Sequence, residues 1–318
     1  MDYLKNNRMF SLLGQRGTFG VVLNDLASTN EKIFALSADL TRTSGLEKFS
    51  KNYENRFINV GIAEQNAVGV AAGIADQGLI PFVTTFANFA TLRANEFVRH
   101  FMAYMKCNVK LVGLGSGFAM ELFGTTHYGV EDIAVLRSFP NITILSPCDG
   151  LEVAKCVEAS VIIDGPVYIR LSGRMNNPIV NKGDYEFNVG KAVKLKDGND
   201  GVIFATGSMV YYALKAATQL ETENIRIAVY NMHTIKPLDK QAIIDNANKK
   251  LILTVEEHSE IGGLGSAVSE VLAELGSHGK MVKIGTKNEY FKAGRYEYML
   301  EKHGLTTENI IQQIKNNI

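Results

Sequence analysis

The sequence is poor in the features that mark disulfide-rich, zinc-binding and membrane-spanning proteins. Only three of its 318 residues are cysteines, and no two of them have CxxC spacing. An odd, scattered set of cysteines argues against a disulfide framework or a zinc site and favours a reducing cytoplasm. No apolar stretch approaches the roughly 20 residues that span a bilayer, and the opening MDYLKNNRMF lacks the apolar core of a signal peptide. We therefore expect a cytoplasmic protein without membrane contact.

An excess of charge of either sign is also lacking. Lys and Arg total 33, as do Asp and Glu, and charged residues make up 21% of the chain against 46% hydrophobic residues. This balance argues against a nucleic-acid-binding or membrane-binding surface, although a local basic pocket is compatible with it. The length suits two globular domains of about 150 residues each.

Apolar runs of strand length alternate with helical stretches along the chain. This alternation predicts an α/β fold of two doubly wound domains, each with a mostly parallel sheet. The polar segment 173–200 is interpreted as a linker, and the predicted domains are 1–180 and 190–318. Strands are predicted at 32–37, 57–60, 80–84, 109–113, 142–146, 167–171, 201–206, 225–230, 251–256 and 281–285. Helices are predicted near 17–29, 62–77, 87–105, 130–137, 150–162, 208–220, 239–248 and 264–276, followed by a polar helical tail.

Glu64 has surroundings that are unusual for a glutamate. It follows a short apolar strand and the turn at Gly61, and it opens a helix of small residues. Its neighbours three, four and seven positions on are Ala67, Val68 and Ala71, so the carboxyl is predicted to be buried. Burial of a carboxyl without compensation is costly and favours its protonated form. Such a group suits a binding or catalytic role, and the alternative is a first-turn glutamate that faces solvent.

Six motifs follow one another in a fixed order along the chain. They are FALSADL, RFINVGIAEQNAVGVAAGIA, PFVTTFANFATLRANEFVR, THYGVEDIAVLRSFPNITILSPCDGLEV, TIKPLD and VEEHSEIGGLGSAVSE. With these motifs the chain resembles the transketolase family from about residue 8 to its end, in the part of a transketolase that holds the pyrimidine-binding and C-terminal domains. The same pair of domains occurs in deoxyxylulose-phosphate synthases and in the β-subunits of 2-oxo-acid dehydrogenases.

The resemblance implies thiamine diphosphate as cofactor. In this family the glutamate that matches Glu64 bonds N1′ of the aminopyrimidine ring and exchanges a proton with it. Phe86 and Phe89 match aromatic residues that contact this ring, and Asp39 matches an aspartate near the cofactor at a subunit interface. Without the resemblance, the two phenylalanines could be core residues and Asp39 a turn residue. Leu92 stands where many transketolases have a tyrosine.

The resemblance also assigns residues to the substrate. His127 matches a histidine that reaches the substrate, and Arg16 and Arg174 fall at or near the positions of arginines that bind its phosphate. Thr43 or Ser44 could add a hydroxyl to the same phosphate. Arginine suits this role because its planar guanidinium donates two parallel hydrogen bonds. The alternatives are a structural histidine and ordinary surface arginines.

Two positions depart from the family pattern. Phe123 stands four residues before His127, where many transketolases have an aspartate that contacts substrate hydroxyls, and Gly115 replaces a further histidine. These changes predict an unusual sugar substrate rather than the ordinary pentose phosphates.

The family's diphosphate and Mg²⁺ motif, GDG followed by Asn, is not found in this sequence. Cys148-Asp149-Gly150 with Asn176 and Asn177 imitates it but lacks the first glycine, so no metal ligand is assigned. The resemblance therefore implies a split enzyme in which a separate N-terminal subunit holds most of the Mg²⁺ and diphosphate site. Because the family's active sites form between protomers, self-association as a dimer and an α₂β₂ assembly are expected.

The leading hypothesis is the C-terminal subunit of a thiamine-diphosphate transketolase. It would transfer a two-carbon ketol unit from a ketose phosphate to an aldose-type acceptor, and so act as a transferase of aldehyde or ketone residues. The first alternative is a decarboxylating 2-oxo-acid enzyme, either a dehydrogenase β-subunit or a relative of deoxyxylulose-phosphate synthase. The second is a regulatory subunit that kept the fold without the chemistry.

Overall fold

Residues 2–318, the part of the chain that the computed structural model describes, contain twelve strands. All ten predicted strands are present, with ends that differ from the predicted ones by a few residues. The strands are β1 (Ile33–Ser37), β2 (Phe57–Asn59), β3 (Ile80–Phe86), β4 (Lys110–Ser116), β5 (Thr143–Leu145), β6 (Val167–Ser172), β7 (Val193–Lys196), β8 (Gly201–Ala205), β9 (Ile227–Asn231), β10 (Thr234–Lys236), β11 (Leu251–Ser259) and β12 (Lys280–Thr286).

The strands form two sheets. The first has the order β10-β5-β6-β4-β3-β1-β2, and the second has the order β12-β11-β8-β9-β7. In each sheet one edge strand is antiparallel: β10 against β5, and β7 against β9. The other pairings are parallel. The predicted α/β fold with two mostly parallel sheets is confirmed.

The helices cover both faces of each sheet. They are α1 (Asn7–Leu26), α2 (Glu47–Asn52), α3 (Glu64–Asp76), α4 (the run Phe89–Arg93, Asn95–Phe97 and Val98–Tyr104), α5 (Asp132–Arg137), α6 (Gly150–Ile162), α7 (Met209–Glu221), α8 (Lys240–Ile244), α9 (Leu264–Leu275), α10 (Tyr296–Lys302) and α11 (Thr307–Lys315). The prediction that the first helix begins near residue 17 is wrong, because it begins at Asn7 and is kinked at Gly14.

Two hydrophobic cores occupy the opposite faces of the sheets. Neighbouring strand residues point into different cores: Phe82 packs with α1 and α6 side chains, and Val83 with those of α3 and α4. This period-two alternation explains why the buried strands are apolar throughout, since neither face meets water.

The segment 173–200, interpreted as a linker, contains one strand that was not predicted, because β7 lies within it. β10 was also missed, and it crosses the predicted domain boundary: it lies in the second half of the chain but pairs with β5 of the first sheet. Both strands are short and partly polar, which is how edge strands usually differ from central ones.

A buried ion pair connects the two sheets. The side chain of Arg170, in β6, is 1% exposed, and its Nε lies 2.9 Å from Oδ2 of Asp132 in α5. Its Nη2 donates to the carbonyl oxygens of Gly129, at 3.0 Å, and of Glu257 in β11, at 2.9 Å. One guanidinium therefore binds the first sheet, helix α5 and the second sheet together.

Candidate functional site

The predicted cofactor and substrate residues follow neighbouring strands of the first sheet. Asp39 lies just beyond the end of β1, Glu64 lies beyond β2, Phe86 ends β3, and His127 follows β4. These strands are adjacent in the order β4-β3-β1-β2. Because they are parallel, their carboxyl ends share one edge of the sheet, which is where α/β proteins bind ligands.

Glu64 is the first residue of α3, and its side chain is only 3% exposed. The predicted burial is therefore correct. The buried carboxyl is compensated, because Nη1 of Arg93 donates a hydrogen bond to its Oε1 at 2.8 Å. The positive end of the helix dipole also favours a carboxylate in the first turn.

An aromatic wall stands beside this carboxyl. The ring centroids of Phe86 and Phe89 are 5.7 Å apart with nearly perpendicular planes. His127 lies 5.7 Å from Phe86 and 5.2 Å from Phe89, and Phe123 lies 5.0 Å from His127. The structure thus brings three of the predicted site residues into one cluster. Edge contacts of this kind are a favourable arrangement of aromatic rings.

Arg93 is a site residue that the motif analysis missed. Its guanidinium carbon lies 3.8 Å from the centroid of Phe89, so the planar group lies over that ring. The spacing held a usable signal, because residues 89 and 93 are four apart on a predicted helix and so share a face.

His127 lies in an environment that favours its neutral form. Partial burial and the nearby positive charge of Arg93 both lower the pKa of the imidazole. Its Nδ1 lies 2.9 Å from Oγ1 of Thr126, which fixes the orientation of the ring. A neutral imidazole can accept a proton at one ring nitrogen and donate a hydrogen bond from the other.

Asp39 is exposed and has the left-handed backbone conformation, with φ of 58°. Its Oδ1 accepts a hydrogen bond from Nδ2 of Asn59 at 3.2 Å, and its backbone N–H donates to Oδ1 of the same residue at 3.1 Å. These two hydrogen bonds between Asp39 and Asn59 fix the loops after β1 and β2 relative to each other. Asp39 is placed at the ligand edge of the sheet, and its contact with a cofactor stays a prediction.

Gly115 is constrained by its backbone and its surroundings. Its φ is 65°, and a Cβ added there would lie 2.5 Å from the sulfur of Met120. A histidine at this position would therefore require a local rearrangement. The other departing residue, Phe123, is 63% exposed and places an apolar ring next to His127.

The predicted phosphate residues Arg16, Thr43 and Arg174 line one cavity of about 360 Å³. Arg42 lines it as well and was not predicted. At the kink in α1 the helix lies close to the chain after β6: Gly14 has φ of 69°, and a Cβ there would lie 2.6 Å from the carbonyl oxygen of Arg174.

The charged groups of this cavity differ in their environments. Burial lowers the pKa of Arg16, so an anion in the cavity would compensate its partly desolvated charge. Arg174, by contrast, already pairs with Glu297 at 2.8 Å and Glu121 at 3.3 Å. The Ser44 hydroxyl is buried and donates to the carbonyl oxygen of Leu40, which leaves Thr43 as the hydroxyl in the cavity lining.

Asp149, in the stretch that imitates the family's metal motif, has a structural role. Its carboxylate accepts hydrogen bonds from the backbone N–H groups of Glu152, Val180 and Asn181, so it caps α6 and anchors the chain after β6. Across residues 2–318, no group of three or more His, Cys, Asp or Glu side chains is arranged to hold a metal ion. With its carboxylate taken up by these backbone donors, Asp149 does not fit the family's Mg²⁺ site. Within the same range, no helix combines the length and hydrophobicity needed to cross a membrane.

The family model for the transketolase pyrimidine binding domain matches residues 14–178, and the model for the transketolase C-terminal domain matches residues 190–310. Proteins named 1-deoxy-D-xylulose-5-phosphate synthase also match the chain.

Three relatives match nearly the full length of the chain. A 6-deoxy-6-sulfo-D-fructose transketolase subunit of Clostridium sp. is 40% identical over 93% of this chain and 92% of its own. An apulose-4-phosphate transketolase subunit of Phocaeicola vulgatus is 37% identical over 93% and 96%. A solved structure described as a split gene transketolase, an inactive β4 tetramer, has a TM-score of 0.86 with 39% identity over 95% and 97% of the two chains. By its domains, its sequence and its fold, the chain belongs to the transketolase family.

Proposed function

We propose that this chain is the C-terminal subunit of a thiamine-diphosphate-dependent transketolase. It would transfer a two-carbon ketol unit from a ketose phosphate to an aldose-type acceptor, together with an N-terminal partner subunit. The observation that carries the proposal is the buried carboxyl of Glu64 beside the Phe86–Phe89–His127 cluster. An acid and a flat apolar wall at one sheet edge suit a heteroaromatic cofactor.

The residues at this edge fit the pyrimidine half of the cofactor. Thiamine diphosphate, when bound, supplies a carbon nucleophile that carries the ketol unit. Glu64 would hold or release a proton at Oε1. Phe86 and Phe89 would orient a flat ring and exclude water from it. Asp39 would lie next to the cofactor at the ligand edge of the sheet. His127, whose pKa is lowered mainly by burial, would meet a substrate hydroxyl as a neutral imidazole.

The arginine cavity would bind the anionic end of the sugar. Arg16, Arg42 and Thr43 offer donors to a tetrahedral anion, with Arg174 shared between that anion and Glu297. The names of two relatives include a sulfo-sugar and a sugar phosphate, and both of these carry such a group. Phosphate and sulfonate are both tetrahedral anions that accept hydrogen bonds from arginine. Phe123 and Gly115 favour a sugar other than the ordinary pentose phosphates.

Replacing Arg16 with Ala should lower kcat/KM for an anionic ketose roughly 10- to 100-fold. The reason is that a hydrogen bond to a charged group contributes about 1.5–3 kcal/mol. Steady-state kinetics with a phosphorylated ketose, its sulfonate analogue and the uncharged ketose measure the effect, which should be absent for the uncharged sugar.

Arg8 provides the matched control, since it is an exposed arginine on α1 outside the cavity lining. Arg8→Ala should leave all three substrates unaffected. An equal loss for charged and uncharged sugars in Arg16→Ala would count against an anion site. The relative losses for phosphate and sulfonate show which of the two the cavity prefers.

We further propose an α₂β₂ assembly, in which two copies of this chain associate with two N-terminal subunits. The partner would hold most of the Mg²⁺ and the diphosphate, because the described residues of this chain lack a metal cluster. The split-gene relative described as an inactive tetramer of β chains supports the idea that a chain of this kind needs a partner.

Reconstitution tests the proposed function. The chain alone should show no ketol transfer, and adding the N-terminal subunit, thiamine diphosphate and Mg²⁺ should restore it in a complex whose sedimenting mass corresponds to α₂β₂. Full activity of the chain alone would overturn the split-enzyme proposal.

A decarboxylating activity is the second candidate, because deoxyxylulose-phosphate synthases are among the relatives. The same reconstituted complex should therefore be assayed for release of CO₂ from pyruvate. Decarboxylation at a rate above ketol transfer from any sugar would replace the transketolase proposal with this one.

A further inference from the structure

Arg93 makes two contacts, and both involve residues proposed to bind the cofactor. Its Nη1 donates to Oε1 of Glu64 at 2.8 Å, and its guanidinium lies 3.8 Å from the centre of the Phe89 ring. Glu64 is buried, whereas the Arg93 side chain is 44% exposed at the mouth of the site. The arginine therefore covers the carboxyl and the ring face from the solvent side.

These contacts are of the same kind as those proposed for the aminopyrimidine. A guanidinium is planar and conjugated, and it can stack on an aromatic ring while it donates in its own plane to a carboxylate. A flat heterocycle that bonds Glu64 and packs on Phe89 would compete with the guanidinium for the same carboxylate and the same ring. While the guanidinium occupies them, Oε1 and that ring face are not free for a ligand.

We propose that Arg93 is a positioning residue that holds Glu64 and Phe89 in place in the free chain and moves away when the pyrimidine ring of thiamine diphosphate binds. This inference rests on the proposed function. Cofactor binding would then replace an internal ion pair, and part of the binding free energy would be used to displace the guanidinium.

The surroundings of Arg93 are compatible with such a movement. Its half-exposed guanidinium can exchange the bond to Glu64 for hydrogen bonds to water without burying an unpaired donor. It ends the first piece of α4, before Ala94, whose φ of −92° and ψ of 12° interrupt the helix. The carboxyl cannot move as readily, because its side chain is packed on α3 among buried residues.

Two substitutions separate the two contacts. Arg93→Met keeps an apolar side chain against Phe89 but removes the donors to Glu64, and Arg93→Lys keeps a positive donor but removes the planar group. Isothermal titration calorimetry of the reconstituted complex with thiamine diphosphate in excess Mg²⁺ measures the affinity. The Kd should fall about tenfold in Arg93→Met, equivalent to about 1.4 kcal/mol, and about threefold in Arg93→Lys.

A second measurement distinguishes displacement from a general change of the fold. At saturating cofactor, kcat for ketol transfer should change by a smaller factor than the Kd in both variants, because the arginine has already left the site. Arg99→Ala, an exposed arginine further along α4, is the control and should change neither the Kd nor kcat.

The outcomes separate failure of this inference from failure of the proposed function. An unchanged or higher Kd in Arg93→Met, in a complex that still assembles, would overturn the proposed displacement of Arg93. A higher Kd would also mean that the arginine helps to bind the cofactor. If Arg93→Met does not assemble, the Kd of Arg93→Lys decides in the same way. A complex with unsubstituted Arg93 that binds no thiamine diphosphate would overturn the proposed function, and this inference with it.

Discussion

Replacing Glu64 with glutamine should lower the turnover of the reconstituted complex by about 10³-fold, within the 10²- to 10⁴-fold range of general acid–base catalysis. Glutamine has nearly the same size and can still bond to Arg93, but it cannot take up or release a proton at neutral pH. The fold should therefore survive while proton transfer is lost. Steady-state assays at saturating cofactor and substrate measure the change, and sedimentation shows that the complex still forms.

Glu96 offers the matched control for this experiment, because it is an exposed glutamate on α4. Glu96→Gln should leave turnover unchanged. A Glu64→Gln complex that works within about twofold of the original rate would remove the proposed role of the carboxyl, and it would favour a subunit that keeps the fold without the chemistry.

Replacing Asp132 with alanine should lower the free energy of unfolding by about 3–5 kcal/mol. This is the usual cost of removing one partner of a buried ion pair. The substitution leaves the Arg170 guanidinium buried without its carboxylate. It also removes the acceptor of the Tyr168 hydroxyl, which donates to Oδ2 at 2.7 Å. Since whole domains are stable by only about 5–15 kcal/mol, this is a large part of the total. Chemical denaturation followed by circular dichroism measures it.

The exposed ion pair between Arg137 and Glu270 provides a comparison in the same chain. Glu270 is 61% exposed, so Glu270→Ala should cost no more than about 1 kcal/mol, as is usual for surface pairs. If Asp132→Ala were as mild as Glu270→Ala, the buried pair would not be what holds the two sheets together.

The central strands could be predicted because they are buried on both faces. The run IFALS in β1 is apolar except for its last residue, and this signal is contained within five residues. β7, with the sequence VKLK, and β10, with TIK, lie at sheet edges and have little hydrophobic signal of their own. Their structure depends on which distant strand they meet, which local patterns do not encode.

The site shows the same contrast between local motifs, which could be predicted, and contacts between distant residues, which could not. Glu64, Phe86 and Phe89 lie in contiguous motifs, and these motifs carried the resemblance. The Glu64–Arg93 and Arg174–Glu297 ion pairs join residues 29 and 123 positions apart. The pairing depends on the packed fold, so the sequence could name Glu64 and Arg174 but could not show that Arg93 and Glu297 lie beside them.

During synthesis the first sheet can be completed only late, because β10 forms the edge next to β5. This pairing must wait until the ribosome has added Lys236, at the end of β10. At about 5–20 residues per second, a nascent chain spends several seconds with β5 as an open edge, and open edges are prone to pair with other chains. A gene truncated or fused between β6 and β10 would make that temporary edge permanent.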